Sequence, residues 1–127
     1  MAGTRGSAPV PALRGNLYLG SITWKIAQAG MPAYSVTKAS VHGLTRSLAR
    51  SLGPFRIRVN TLVPDWVMTE RQLKDFVTPE ASAEIEKVPC LKAPVLPEHI
   101  ASMALFLAAD DSAMCTAQEF IVDGGWA

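Results

Sequence analysis

The 127-residue chain has no marked excess of either charge: 12 Lys and Arg stand against 11 Asp and Glu, a net of +1. Without a basic surplus it carries no electrostatic footprint for nucleic acid or for an anionic membrane surface. Cysteine is scarce. Cys90 and Cys115 are too few for a disulfide scaffold and fit a reduced, cytoplasmic setting. Long hydrophobic runs are missing too: the strongest, Ile100 to Ala109, is too short to span a bilayer. No continuous apolar core follows Arg5, so no signal peptide is expected. His42 and His99 stand alone, and no Cys/His/Asp group has metal-ligand spacing, so no metal is expected and neither histidine is given a role. What is present is 49% hydrophobic and 18% charged residues, which excludes a disordered chain and fits one average domain.

Residues 1–15 hold small residues, prolines and arginines without period and read as a poorly ordered leader; residues 16–127 form the domain. Asn16 to Gly20 reads as a buried strand and 21–33 as a loop. A helix is expected from about Ala33 to Leu52, burying Val41, Leu44, Leu48 and Leu52 on one face and stopped by Gly53-Pro54. Arg56 to Val63 reads as a strand on its β-branched content. Helices are expected at about 70–77 and 80–87, forming a mobile excursion. A largely buried helix should start at Pro97, with Ile100, Met103, Ala104 and Leu107 as its stripe and Leu105 and Phe106 widening it. Glu119 to Val122 is the last strand. Strand–helix alternation of this kind implies an α/β fold with a parallel sheet of three strands and flanking helices. Arg46, Arg50, Arg56 and Arg58 read as a solvated face.

Tyr34 and Lys38 are four residues apart on the expected helix, so both side chains leave the same face. An ammonium beside a phenol favours the phenolate, which makes tyrosine a usable acid or base. Ser21, just after a strand, could orient the same substrate oxygen. With 2 Tyr and 5 Lys in the chain, shuffling yields this spacing about 8% of the time, and demanding a serine at a fixed upstream offset brings the coincidence below about one in a hundred. A surface Tyr/Lys contact is the plainer reading of the pair alone. The serine and the strand–helix order favour chemistry.

The stretch GSITWKIAQAGMPAYSVTKASVHGLTRSLARSLGPFRIRVNTLVPDWVMTE resembles the catalytic core of the short-chain dehydrogenase/reductase family, and FLAADDSAMCTAQEFIVDGGW resembles its closing helix, loop and strand. The resemblance implies the C-terminal part of a Rossmann-like, doubly wound parallel sheet. It implies hydride transfer between NAD or NADP and an alcohol or carbonyl. It gives Tyr34 the role of general acid/base, Lys38 that of favouring the phenolate and holding the nicotinamide ribose, and Ser21 that of positioning the substrate oxygen. It places Pro64, Val67 and Thr69 beside the nicotinamide, with Asn60 before them as a structural strand residue. The runs PDWVMTERQ and MCTAQEFIVDGGW look most like bacterial aldose 1-dehydrogenases. Trp24 and Trp66 would then stack on a sugar or simply pack beside the cleft. The partners implied are a small-molecule substrate and further copies of the chain, since family members oligomerise through these helices.

Two features depart from the family. Its glycine-rich, phosphate-binding turn and its helical asparagine do not occur; Gly3, Gly6 and Gly15 have neither the spacing nor a preceding strand. The N-terminal cofactor half is therefore expected to be absent. Asp65 stands where the family has glycine, adding bulk and charge beside an anionic dinucleotide. The isolated chain is expected to be inactive and to self-associate through an open strand edge. The alternative is a non-catalytic remnant serving as a binding or oligomerisation module.

Overall fold

The computed structural model describes residues 14–75 and 77–127; most of the expected leader lies outside them. The strands are β1 (Arg14–Leu19), β2 (Ile57–Pro64) and β3 (Glu119–Val122). The helices are α1 (Pro32–Leu52), α2 (Glu70–Asp75), α3 (Pro79–Lys87) and α4 (Pro97–Ala108). All three strands are parallel in the order β1-β2-β3, as expected, with Leu19 opposite Leu62 and Thr61 opposite Glu119. Arg14 and Gly15 are the first two described residues and lie within β1.

β2 is the centre of the core: Val59, Thr61, Leu62 and Val63 are fully buried. Alternate residues of a strand point to opposite faces. Thr61 meets Thr45 of α1 at 2.6 Å between hydroxyls, whereas Arg58 reaches the end of α4. The two helices therefore cover opposite faces, as a doubly wound sheet requires. Both connections advance the same way along the sheet yet cross opposite faces, so they have opposite hands and one is left-handed, against the strong right-handed preference.

Three expectations of burial fail for one reason: an element with cover on one side only keeps half its apolar residues out. β1 is an edge strand, not a buried one, and Leu19 is 54% exposed. On α1 the side facing the sheet carries His42, Thr45 and Ala49, while Leu44 lies outside and Val41, Leu48 and Leu52 are half-buried. On α4 Leu107 is buried, but Leu105 and Phe106 face outward. Arg58 is not on a solvated face: it is 4% exposed. Its guanidinium donates to the carbonyls of Leu107 at 2.9 Å and Ser112 at 3.1 Å and to the Ser112 hydroxyl at 2.9 Å. A cation there complements the C-terminal end of the α4 dipole. α1 stops at Leu52, but Gly53 stays right-handed and the reversal falls on Arg56, at φ 59°. α2 spans Glu70–Asp75, and Val77, the end of the expected span, is not helical.

Candidate active site

The chain leaves β1 through Gly20, whose N–H bonds the Leu62 carbonyl at 2.8 Å and prolongs the ladder. A β-carbon there would sit 3.1 Å from Thr61 Cγ2 and 3.2 Å from Val63 Cγ2, so this close approach to β2 suits glycine. Ser21 follows, buried, its Oγ accepting from the Thr23 N–H at 3.3 Å. A compact turn comes next, in which the Ile22 carbonyl accepts from the N–H groups of Lys25 at 2.8 Å and Ile26 at 3.1 Å.

α1 starts on Pro32, fixed in φ and lacking only an N–H that would have no helical partner. Tyr34 and Lys38 lie in its first two turns. Lys38 Nζ stands 5.7 Å from the centre of the Tyr34 ring and donates to the Leu19 carbonyl at 3.1 Å. The pair is thus tied to the C-terminal end of β1, two residues before Ser21. Tyr34 is 46% exposed, open to an incoming molecule. The Ser21 hydroxyl is engaged within its own turn and makes no hydrogen bond to Tyr34 among the described residues.

Pro64 ends β2 opposite Val122. Val67 pairs with Val95 in a single bridge, and Thr69 Oγ1 accepts from the Gln72 N–H at 3.2 Å at the start of α2. Asp65 sits between them, half-buried. Burial, opposed by a hydrogen bond from the Trp66 backbone and reinforced by the Asp123 carboxylate, pushes its carboxyl up to about 6. Asn60 is structural, as expected: its side chain donates to the Cys115 carbonyl at 2.8 Å and accepts from the Gln118 N–H at 3.2 Å.

Both tryptophans are tied by their indole N–H groups, Trp66 to Gln72 Oε1 at 2.6 Å and Trp24 to His42 Nε2 at 3.1 Å. Trp24 lines an open groove of about 530 Å³ between the 23–30 loop and a flank of α1, and none of Ser21, Tyr34 and Lys38 lines it. His42, given no role from sequence, joins Trp24, Lys25 and Glu119 in a polar cluster. Its partner Glu119 lies 77 residues away, so no local pattern could have flagged the pair. Among the described residues no cluster of His, Cys, Asp and Glu could hold a metal ion, and no helix is long and apolar enough to cross a membrane.

A family model described as enoyl-(acyl carrier protein) reductase matches residues 11–127. The chain is 43% identical to D-xylose 1-dehydrogenase of Caulobacter vibrioides over 126 residues, covering 97% of this chain and 50% of that protein. It is 44% identical to a probable galactose dehydrogenase of Rhizobium meliloti over 105 residues, covering 83% of this chain and 41% of that one. Among solved structures, a short-chain type dehydrogenase/reductase from Mycobacterium ulcerans superposes with a TM-score of 0.82 at 30% identity, over 88% of this chain and 41% of that one. 4-Hydroxyisoleucine dehydrogenase complexed with NADH superposes with a TM-score of 0.83 at 28% identity, over 89% of this chain and 46% of that one. The chain thus spans about half the length of the curated relatives it matches. With the parallel sheet, the helices on both faces and the Tyr34–Lys38 pair at the strand end, these matches place the chain in the short-chain dehydrogenase/reductase family.

Proposed function

We propose that this chain carries the proton-transfer half of an NAD(P)-dependent oxidoreductase acting on an alcohol or carbonyl, with an aldose as substrate. The observation that carries the reading is Lys38 Nζ, held between the Tyr34 ring and the Leu19 carbonyl. This arrangement keeps an ammonium beside an accessible phenol. In the oxidising direction Tyr34 Oη, as phenolate, takes the proton of the substrate hydroxyl. Ser21 orients the oxygen once its turn admits the substrate, and Lys38 stabilises the negative form of the phenol. A bound nicotinamide cofactor supplies the hydride acceptor or donor.

The residues present fit one end of that cofactor. Lys38 and Tyr34 offer donors to a ribose diol. Thr69 still has a hydroxyl proton to give, because its oxygen accepts rather than donates at α2. Pro64 and Val67 supply an apolar border. The pyrophosphate end has no counterpart in these 127 residues, which contain no glycine-rich turn. We therefore assign the isolated chain no independent turnover. The aldose follows from the likeness to proteins named for D-xylose and galactose. A cytoplasmic setting fits a chain with two cysteines, and association with further copies fits the exposed Leu44, Leu105 and Phe106. The missing turn and Asp65 favour one other reading, a non-catalytic binding or oligomerisation module.

A hybrid separates the two readings: this chain replaces the aligned half of the Caulobacter D-xylose 1-dehydrogenase. The catalytic reading predicts reduction of NAD+ or NADP+ by D-xylose or D-galactose in the hybrid, and no saturable NADH binding by the isolated chain. A folded hybrid that binds cofactor but oxidises no aldose overturns it.

A further inference from the structure

Four side chains from three parts of the chain meet over one edge of α1. Trp24 Nε1 donates to His42 Nε2 at 3.1 Å. His42 Nδ1 bonds Glu119 Oε1 of β3. Lys25 Nζ lies 3.0 Å from Glu119 Oε2 and 4.5 Å from the centre of the Trp24 indole. The indole and imidazole rings meet edge-on with centroids 4.8 Å apart. An indole N–H can only donate, so His42 Nε2 must accept. The imidazole is then neutral, with its proton on Nδ1 toward Glu119. Both ring nitrogens are spoken for, and the carboxylate sets which one carries hydrogen.

The cluster sits where the Ser21 turn needs support. Residues 21–26 are held by their own backbone bonds and by Ser21 Oγ. Trp24 and Lys25 are the side chains that fasten this turn to the helix bearing Tyr34 and to the far strand. Lys25 and then His42 outweigh burial and hold the Glu119 carboxyl below its ordinary range, so the carboxylate persists to low pH.

We propose that His42 and Glu119 are positioning residues for Ser21: through Trp24 and Lys25 they fix the turn that presents its hydroxyl to the substrate. This rests on the role given to Ser21 above.

The test uses the full chain with Trp66→Phe and Trp126→Phe, leaving Trp24 as the reporter. His42→Leu keeps bulk but has no acceptor, and His42→Gln keeps an acceptor that does not titrate. At pH 8 the acrylamide quenching of Trp24 should rise severalfold in His42→Leu and return to the starting level in His42→Gln. Glu119→Ala, which removes the partner of both His42 and Lys25, should raise it as His42→Leu does. Equal quenching in the parent and His42→Leu, or unchanged quenching in Glu119→Ala, overturns the proposal, and the second holds even if His42→Leu fails to fold. In the hybrid enzyme His42→Leu should lower kcat more than it raises KM, with His42→Gln restoring kcat. The functional reading fails by a separate result: a hybrid in which Ser21→Ala leaves kcat unchanged denies Ser21 its role, however Trp24 behaves.

Discussion

Arg58 and Asp65 are charges placed where water is scarce, and they behave oppositely. Among the described residues Arg58 has no carboxylate hydrogen-bond partner; its two Nη groups donate to carbonyls at the end of α4 and to Ser112, and its Nε–H is left without a partner. Arg58→Ala would strip those acceptors and uncap the helix, and a loss of about 2–4 kcal/mol is expected by urea denaturation, since buried bonds to a charged donor are worth more than neutral ones. A loss below about 1 kcal/mol, within the range of a neutral hydrogen bond, would contradict that account. Asp65 lacks such support. Its folded carboxyl titrates near 6 against 3.8 for a free one. The folded form therefore holds the proton more tightly than the unfolded one, and stability falls as pH rises through that window. Asp65→Asn should stabilise the chain at pH 8 and have no effect of this origin at pH 3, where both states are protonated. An equal gain at both values would contradict the burial account. In the hybrid, Asp65→Gly should also lower the KM for the cofactor by removing a negative charge beside a dinucleotide. The Tyr34–Lys38 pair was legible because its spacing is local, and Asp65 stood out only against the glycine of the family pattern. Arg58 was not, because a basic residue in a strand looks the same whether its tip reaches water or a helix end.

At the scale of elements, the type and order of every strand and helix followed from periodicity and breakers. The faces did not. Val41, Leu44, Leu48 and Leu52 give the cleanest apolar repeat on α1, yet the sheet receives His42, Thr45 and Ala49. The polar members pack there because they have partners: Thr45 bonds Thr61, and His42 bonds Trp24 and Glu119. No spacing rule sees such partners across 16 to 77 residues. Ala49→Leu should therefore destabilise the chain by about 1–3 kcal/mol through overpacking. Leu44→Gln should change the stability of the isolated chain by less than about 0.5 kcal/mol, as an exposed site does. Equal losses would mean that the apolar stripe and not the polar face meets the sheet.

For the whole molecule, both outer strands are sheet edges among the described residues. There β1 has a row of backbone groups without a neighbouring strand, with Leu17 and Leu19 exposed upon it, and β3 is the edge on the far side. Leu105, Phe106 and Ile121 are exposed elsewhere. Edges of this kind recruit other strands. Sedimentation of the isolated chain should show concentration-dependent association that Leu19→Lys weakens; a monodisperse monomer with a single sharp melt would contradict this. The strand–helix alternation already implied three parallel strands. The opposite hands of the two crossovers came only with the structure, because handedness leaves no mark in composition or period.

The proposed proton-transfer role of Tyr34 is reached most directly by a single-turnover measurement of nicotinamide reduction in the hybrid carrying Tyr34→Phe. Loss of a positioned general base should slow the step by about 10²–10⁴-fold while cofactor affinity stays within about a factor of three. A Tyr34→Phe hybrid that transfers hydride as fast as its parent would contradict the account.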